Sequence, residues 1–203
     1  MIAALFVETD GVYFGLPDID PWDETRDARL YAGPWPVIAH PPCARWGRYW
    51  GGGPSASYKR ELGADHGCFR SAISAVRKWG GVLEHPADTY AWSFHHIASP
   101  PRNGGWIRAG DDIGWTCCVE QGNYGHRARK ATWLYIKSKD RPRDLKWGKA
   151  EIRDKVYFDE WFHSAEERRR AVRTGVCQRL SKKQRAATPI EFRNLLISLV
   201  CES

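Results

Sequence analysis

The chain breaks into short apolar runs separated by polar stretches rich in glycine and proline, and most of the runs have the length of a strand. Ile2 to Val7 is continuously apolar, which predicts a strand buried on both faces of an α/β sheet. A second run starts at Pro36 and stops at Pro41-Pro42. Two adjacent prolines remove two backbone donors and hold the chain extended, so the strand must hand over there to a rigid loop. Val82-Leu83 begins a third strand that ends in Glu84-His85-Pro86, while Trp115 to Val119 and Ala131 to Ile136 predict two more. Helical spacing enters between these runs. A helix is expected from Ser57 to Trp79, most strongly where Phe69, Ile73 and Val76 recur at helical spacing, stopped by Gly80-Gly81. Asp23 to Tyr31 reads as a short helix after an acidic loop. Ser164 with Glu167 forms a capping-box pattern, and Thr188-Pro189 opens a last helix whose Phe192, Leu195, Leu196, Leu199 and Val200 share one face. Ala98 to Gly114 reads as a long loop, and Trp46, Tyr49 and Trp50 lead into Gly51-Gly52-Gly53-Pro54-Ser55, a candidate lid.

At 203 residues the chain has room for one domain with a proper core. The pattern predicts an α/β core over 1–136 and a basic helical region over 137–203 that docks on it through the last helix. Charge sharpens the division. Residues 1–124 hold 11 Lys and Arg against 14 Asp and Glu, whereas residues 125–203 hold 20 against 10. A basic surplus confined to one part suits polyanion contacts there, and it equally suits a solvated basic tail. Aromatic residues make up 13% of the chain, and such flat side chains either pack or stack on bases. No stretch has the ~18 apolar residues of a membrane span, and the start lacks a secretory pattern, so the expected location is cytoplasmic. Six cysteines in a chain of this size are expected as reduced thiols.

Two strands thus end in the same manner: an apolar run, a polar residue, then proline. In an open α/β sheet ligands bind at the carboxyl ends of strands, which predicts that the ends at His40-Pro41-Pro42-Cys43 and at Glu84-His85-Pro86 face one pocket. Cys43 alone reads either as a small buried hydrophobe or as a thiol on a stiff mount. Gly125-His126-Arg127-Ala128-Arg129-Lys130, set between two strands, makes a compact basic element suited to phosphate or base-edge contacts.

Taken together, His40-Pro-Pro-Cys43, Leu83-Glu-His-Pro86 and Gly125-His-Arg-Ala-Arg-Lys130 resemble, in order and rough spacing, the catalytic motifs of DNA cytosine-5 methyltransferases, which are Pro-Pro-Cys, Glu-Asn-(Val or Pro) and Gln-x-Arg-x-Arg. Arg185-Ala-Ala-Thr-Pro-Ile-Glu-Phe192 is similar to the lead-in to the late helix of that family. The tryptophan-rich layout resembles small phage and prophage proteins of methylase-like type. The resemblance covers roughly residues 36–136 and the last helix. It implies a Rossmann-like, methyltransferase-like three-layer sandwich with a mostly parallel sheet, a cytoplasmic location in a bacterial host, and DNA or a pyrimidine nucleotide as partner. It implies Cys43 as the nucleophile that adds to carbon 6 of cytosine, Glu84 as the acid for ring nitrogen 3, and Arg127 and Arg129 as the clamps of the third motif. Arg45 or Arg129 would lower the thiol's pKa. Trp46, Tyr49 or Trp50 would stack on a flipped base or fill its gap.

Pro42, Arg45, His85, His126, Lys130 and the basic residues Arg168, Arg169, Arg170, Lys182, Lys183 and Arg185 are expected on the substrate or DNA side. S-adenosylmethionine is the implied donor, but the family's glycine-rich turn is replaced by Glu8-Thr9-Asp10-Gly11. Asp10, Asp18 and Asp20 are the candidates for its ribose contact. The middle motif has His85 in place of asparagine, and the third motif's glutamine is Gly125 or is displaced to Gln121. Two other readings stay open. One is a non-catalytic DNA-binding or anti-defence protein on the same fold. The other is a zinc hydrolase or deaminase using His40, Cys43, His66, Cys68 and His85, which lacks the His-x-Glu and Pro-Cys-x-x-Cys pattern.

Overall fold

Seven strands and five helices are formed by the residues described in this computed structural model, which are 1–52, 60–110, 113–151, 163–174 and 180–203. The strands are β1 (Ile2–Leu5), β2 (Ile19–Trp22), β3 (Val37–Ala39), β4 (Gly81–Pro86), β5 (Ile107–Arg108), β6 (Gly114–Glu120) and β7 (Ala131–Lys137). The helices are α1 (Cys68–Trp79), α2 (Tyr90–Phe94), α3 (Ala165–Arg173), α4 (Lys182–Ala186) and α5 (Ile190–Glu202). The strands form one sheet in the order β2-β1-β3-β4-β7-β6-β5. From β2 to β4 every pairing is parallel, and from β4 to β5 every pairing is antiparallel. The fold is therefore α/β with a mixed sheet, half of it parallel.

The continuous apolar runs are explained by cover on both faces. Ala3, Leu5, Val37, Ala39 and Leu83 pack in one cluster with Phe69, Ile73 and Val76 of α1. Ile2, Ala4, Ile38 and Val82 pack in a second cluster with Phe192, Leu196 and Leu199 of α5. Parallel strands buried on both sides carry no polar alternation, as β1 and β3 show. Gly81 opens β4 with φ +110°, where a Cβ would lie 2.0 Å from the Val37 carbonyl oxygen. Glycine there lets β4 close on β3, a role beyond stopping the preceding helix.

Several expectations shift. The acidic segment after Gly15 contains an edge strand, β2, whose Asp and Pro residues hid it. In place of a helix over Asp23–Tyr31 there is one 3-10 turn, Ala28–Leu30. The helix expected from Ser57 to Trp79 starts, among the described residues, only at Cys68. Gly63 and Gly67, both left-handed, turn the chain before it, and the Asp65 carboxylate accepts from the Gly67 and Phe69 backbone N–H groups. The candidate lid beyond Gly52 and the helix start at Ser57 lie outside the described residues. α2 was hidden by its length and is capped by Thr89.

In the basic region the start of α3 matches expectation, with Ser164 accepting from Glu167 N–H. α4 carries a full capping box, Ser181 with Gln184. α5 docks on the sheet, and its Arg193 reaches across to donate to the Val12 carbonyl at 2.7 Å. Among the described residues, no helix is long and apolar enough to cross a membrane.

Candidate functional site

β1 sends the chain outward to β2, whereas β3 lies on its other side, so the carboxyl ends of β1 and β3 diverge and open a crevice. His40 follows β3 at that edge, and Glu84 lies near the end of β4. Because β7 runs against β4, its first residues reach the same edge, where Thr132 pairs with Pro86. Gln121 follows β6 there as well. Topology alone gathers these side chains, although they are far apart in sequence.

A hydrogen-bonded chain runs through them. His40 Nδ1 lies 3.0 Å from Glu84 Oε2, and His40 Nε2 lies 2.9 Å from the Tyr13 hydroxyl in the loop after β1. Gln121 Nε2 donates to Glu84 Oε1 at 3.1 Å and to Thr132 Oγ1 at 2.9 Å. Glu84 keeps only 11% of its side chain exposed. Burial alone would raise its pKa, but the His40 hydrogen bond and charge, helped by Lys130, outweigh that and hold the carboxyl below its ordinary value. Glu84 is therefore ionised at neutral pH. Desolvation, with the Glu84 charge adding to it, pushes the Tyr13 phenol far up, so Tyr13 keeps its proton.

The sign of the Glu84 shift sets how stability depends on pH. Its stabilising contribution is fully present above the ordinary carboxylate value of 4.5 and is lost as pH falls through the lower folded value. Glu84→Gln should cost about 1.5–3 kcal/mol at neutral pH, the worth of hydrogen bonds to a charged group. Urea midpoints of the two proteins should converge as the pH is lowered through the folded value; a constant gap would contradict an ionised Glu84.

Cys43 reaches solvent. The protein packed around its sulfur nevertheless pushes the thiol pKa up, the Glu84 charge pushes it further, and Lys130 pulls it down. Lys130 is lowered by burial and raised by Glu84 and Cys43 in turn. Cys43, Glu84 and Lys130 thus form one electrostatic site. Two expectations are corrected here. The thiol is raised rather than lowered, and its cationic neighbour is Lys130 rather than Arg45 or Arg129. Lys130 also donates to the Ala186 and Ala187 carbonyls at 3.2 and 3.3 Å, which ties the site to the end of α4.

Other expected residues lie elsewhere. Successive strand residues face opposite ways, so His85 points away from Glu84 into the core. It is 1% exposed, sits edge-on to Phe69 and is stacked with Trp92, and burial pulls its pKa down to about 4. Trp46 is also core: it is 2% exposed, and its indole N–H donates to Asp65. Neither presents a face to substrate. Tyr49, 65% exposed, does reach solvent, while Pro42 is exposed and Arg45 and Trp50 are half-buried. His126 is buried, with Nδ1 2.8 Å from the Ala128 carbonyl.

Arg127 is exposed, and Arg129 is half-buried with Nε donating to the Ala150 carbonyl. Arg129, Lys130, Arg102, Lys149 and Arg185 line a cleft of about 600 Å³, in which Asp88 and Glu120 are the acids. Arg169 and Arg170 are exposed on α3, and Lys183 pairs with Glu8 at 3.4 Å. The side chains of Arg168 and Lys182 lie outside the described residues.

A second cleft, of about 510 Å³, occupies the crevice between β1 and β3. Phe6, Val7, Ala28 and Pro42 give it apolar walls, and Asp23, Glu24 and Asp27 line it too. The acids proposed from sequence are not there. Asp10 and Asp18 are exposed with left-handed backbones, and Asp20 pairs with Arg26. Within the cleft Asp23 is engaged by Thr9 and Thr25, and Asp27 by Arg29. Among the described residues Glu24 is left to accept from a ligand. The cleft thus combines apolar walls with Arg29, His66 and three carboxylates, and it is built without a glycine-rich turn after β1. Phe6 makes that turn with φ +58°. His66 and Cys68 line this cleft and lie apart from the His40 pair. No three His, Cys, Asp or Glu side chains among the described residues converge on a metal-sized site.

Tyr13 and Thr132 carry the site without being expected from sequence, whereas His40 is expected there only as a ligand in the zinc reading and Gln121 only as the displaced glutamine of the third motif. A displaced glutamine was the only signal for Gln121, and Tyr13 gave none. In comparisons with known proteins, no family model, no curated protein and no solved structure matches this chain.

Proposed function

We propose that the chain is a Rossmann-like, methyltransferase-like enzyme that modifies carbon 5 of a pyrimidine, with cytosine in DNA as the first substrate to test. The observation that carries this reading is the mutual electrostatic coupling of Cys43, Glu84 and Lys130, three residues from three separate motifs, at one sheet edge. Covalent catalysis at a pyrimidine needs a thiol to attack carbon 6 and an acid for nitrogen 3, and the site brings both types of group together. The five cations of the neighbouring cleft suit a nucleic-acid backbone, with Tyr49 available to stack on a base. In the β1/β3 cleft, Glu24 would hold the ribose of S-adenosylmethionine against the apolar walls. That donor supplies an electrophilic methyl group when bound. Lys130 stabilises the thiolate, and Glu84, fixed by His40 and Gln121, meets the base edge.

A second reading, DNA binding without chemistry, is favoured by the raised Cys43 thiol. Mass spectrometry of nucleosides from DNA of cells expressing the wild type or Cys43→Ser separates the two. A 5-substituted pyrimidine found only with the wild type supports catalysis; identical nucleosides, together with tight DNA binding by both proteins, would favour the second reading. Charge reversal at Lys149 and Arg185 should weaken DNA binding and lower the slope of log affinity against log salt by about one for each phosphate that is no longer neutralised.

A further inference from the structure

We propose that the sheet edge opposite Cys43 holds a second binding site, for a nucleoside polyphosphate, in a cleft of about 640 Å³ between the end of α1 and the end of β7. None of its lining residues belongs to the three motifs at the other edge, so the proposal stands apart from the base-modifying function.

Topology builds the cleft. β3 and β4 start at this edge, and β7, which runs against β4, ends there with Lys137 opposite Gly81. The length of β4, about 17 Å, separates it from the Pro86 end. Gly80 closes α1, with its N–H on the Val76 carbonyl and its own carbonyl accepting from Val37 N–H at 3.0 Å. Lys78 and Trp79 of the last helical turn are thereby held beside the start of β3, where Pro36 lines the same cleft. From the other side, Ser138 N–H donates to the Ile113 carbonyl at 3.2 Å, and Arg108 reaches the Lys139 carbonyl at 3.5 Å. Parts far apart in sequence thus share one concave surface.

Charge is the first argument. Lys78, Arg108, Lys137 and Lys139 line the cleft, and no Asp or Glu side chain among the described residues does. Asp111 and Asp112, which precede Ile113, lie outside those residues. None of the four cations is ion-paired among the described residues. Lys78 and Arg108 rest on indole rings instead, with Lys78 Nζ 4.5 Å from the Trp79 ring centre and the Arg108 guanidinium 4.2 Å from that of Trp115. Cations at a helix end ordinarily answer its free carbonyls, but only Lys78 stands at one; Arg108 and Lys137 are on strands and Lys139 follows β7. A cleft lined by one sign of charge concentrates its field on a multivalent anion, and phosphate oxygens accept from ammonium and guanidinium groups alike. The cleft at Lys130 differs, because Asp88 and Glu120 stand among its cations.

Shape is the second. Trp79 and the exposed Ile113 give the cleft apolar surface, and Gly33 backs the indole so closely that a Cβ there would lie 2.4 Å from it. The ring is fixed as a platform on which a base stacks in place of the Lys78 ammonium, which swings to the phosphates. The volume falls within the range of small-ligand pockets, roughly 300–1,000 Å³, and suits one nucleotide better than a run of nucleic-acid backbone.

Photolabelling tests this at the site itself. The full chain is irradiated with an azidoadenosine triphosphate and digested, and the labelled peptides are identified by mass spectrometry. Label should appear on the peptide holding Trp79, and unlabelled ATP should suppress it in a saturable manner. Inorganic tripolyphosphate should suppress it about tenfold more weakly than ATP, because it lacks the stacking base. Lys137→Gln/Lys139→Gln should raise the ATP concentration for half-suppression by at least about tenfold, through two lost charge-assisted hydrogen bonds. Neither lysine is buried, so the double substitution spares the core. Lys149→Gln/Arg185→Gln, in the cleft at Lys130, should leave that concentration unchanged. No saturable label at Trp79, an unchanged half-suppression in Lys137→Gln/Lys139→Gln, or tripolyphosphate as effective as ATP each overturns the proposal. A single-stranded oligonucleotide that suppresses the label more strongly than ATP would assign the cleft to nucleic acid and overturn it as well.

Discussion

Wild-type protein incubated with DNA carrying pyrimidin-2-one should yield a species that survives denaturing electrophoresis and is absent in Cys43→Ser, a loss of at least about 1000-fold if the thiol is the nucleophile. The surroundings of Cys43 predict more than presence or absence. Its thiol is raised by burial and by Glu84, which outweigh a backbone hydrogen bond and Lys130, so the protein does not hold a preformed thiolate at neutral pH. Adduct formation should therefore accelerate as pH rises from about 6 toward about 8, before any loss of the acid on the base side intervenes. Lys130→Gln removes the cation that lowers the thiol's pKa and should slow the reaction at neutral pH. Mapping the adduct by peptide mass spectrometry to any cysteine other than Cys43 would end the proposed chemistry.

The second large effect concerns stability. Trp46→Ala should destabilise the protein by about 3–5 kcal/mol, as expected for truncating a fully buried aromatic. The ring fills space between Phe69, Phe94 and His95, at centroid distances of 5.6, 5.2 and 5.7 Å. Its N–H donates to the buried Asp65 carboxylate, which also starts α1, so the substitution leaves a cavity and removes one of the hydrogen bonds of that carboxylate, which keeps those from the Gly67 and Phe69 N–H groups. Tyr49→Ala, only three residues along, should change stability by less than about 0.5 kcal/mol, because the ring is mostly in solvent. Urea unfolding of both variants checks the contrast. Adduct yield should reverse it, with Tyr49→Ala losing yield at full stability if that ring contacts the base. A stable Trp46→Ala protein defective only in DNA binding would contradict the buried position of Trp46.

What the sequence disclosed followed from how local each signal was. The stop of β3 at Pro41-Pro42 and the end of β4 at Pro86 are written in the residues themselves, and open-sheet topology then puts Cys43 and Glu84 at one edge. The apolar face of α5 is equally local. Trp46 and His85 were misassigned for one reason: residue type alone does not reveal whether an aromatic packs or stacks, and only alternation along β4, read together with α1, turns His85 inward. β2 and α2 were missed because each is short and breaks its propensity rule. The acids of the β1/β3 cleft follow β2, so missing that strand also misplaced the ribose candidates onto Asp10, Asp18 and Asp20. Tyr13 gave no signal because its meeting with His40 depends on how one loop is folded back over the sheet.

That loop is held from far away. Arg193 of α5 grips the carbonyl of Val12, the residue just before Tyr13. During synthesis the tyrosine loop emerges well before α5, and its clasp is made only after α5 has followed. A ribosome-bound chain still short of α5 can pair its parallel strands but has no fixed partner for His40 Nε2. Completion of the Tyr13–His40 contact thereby waits for α5 to be made and docked.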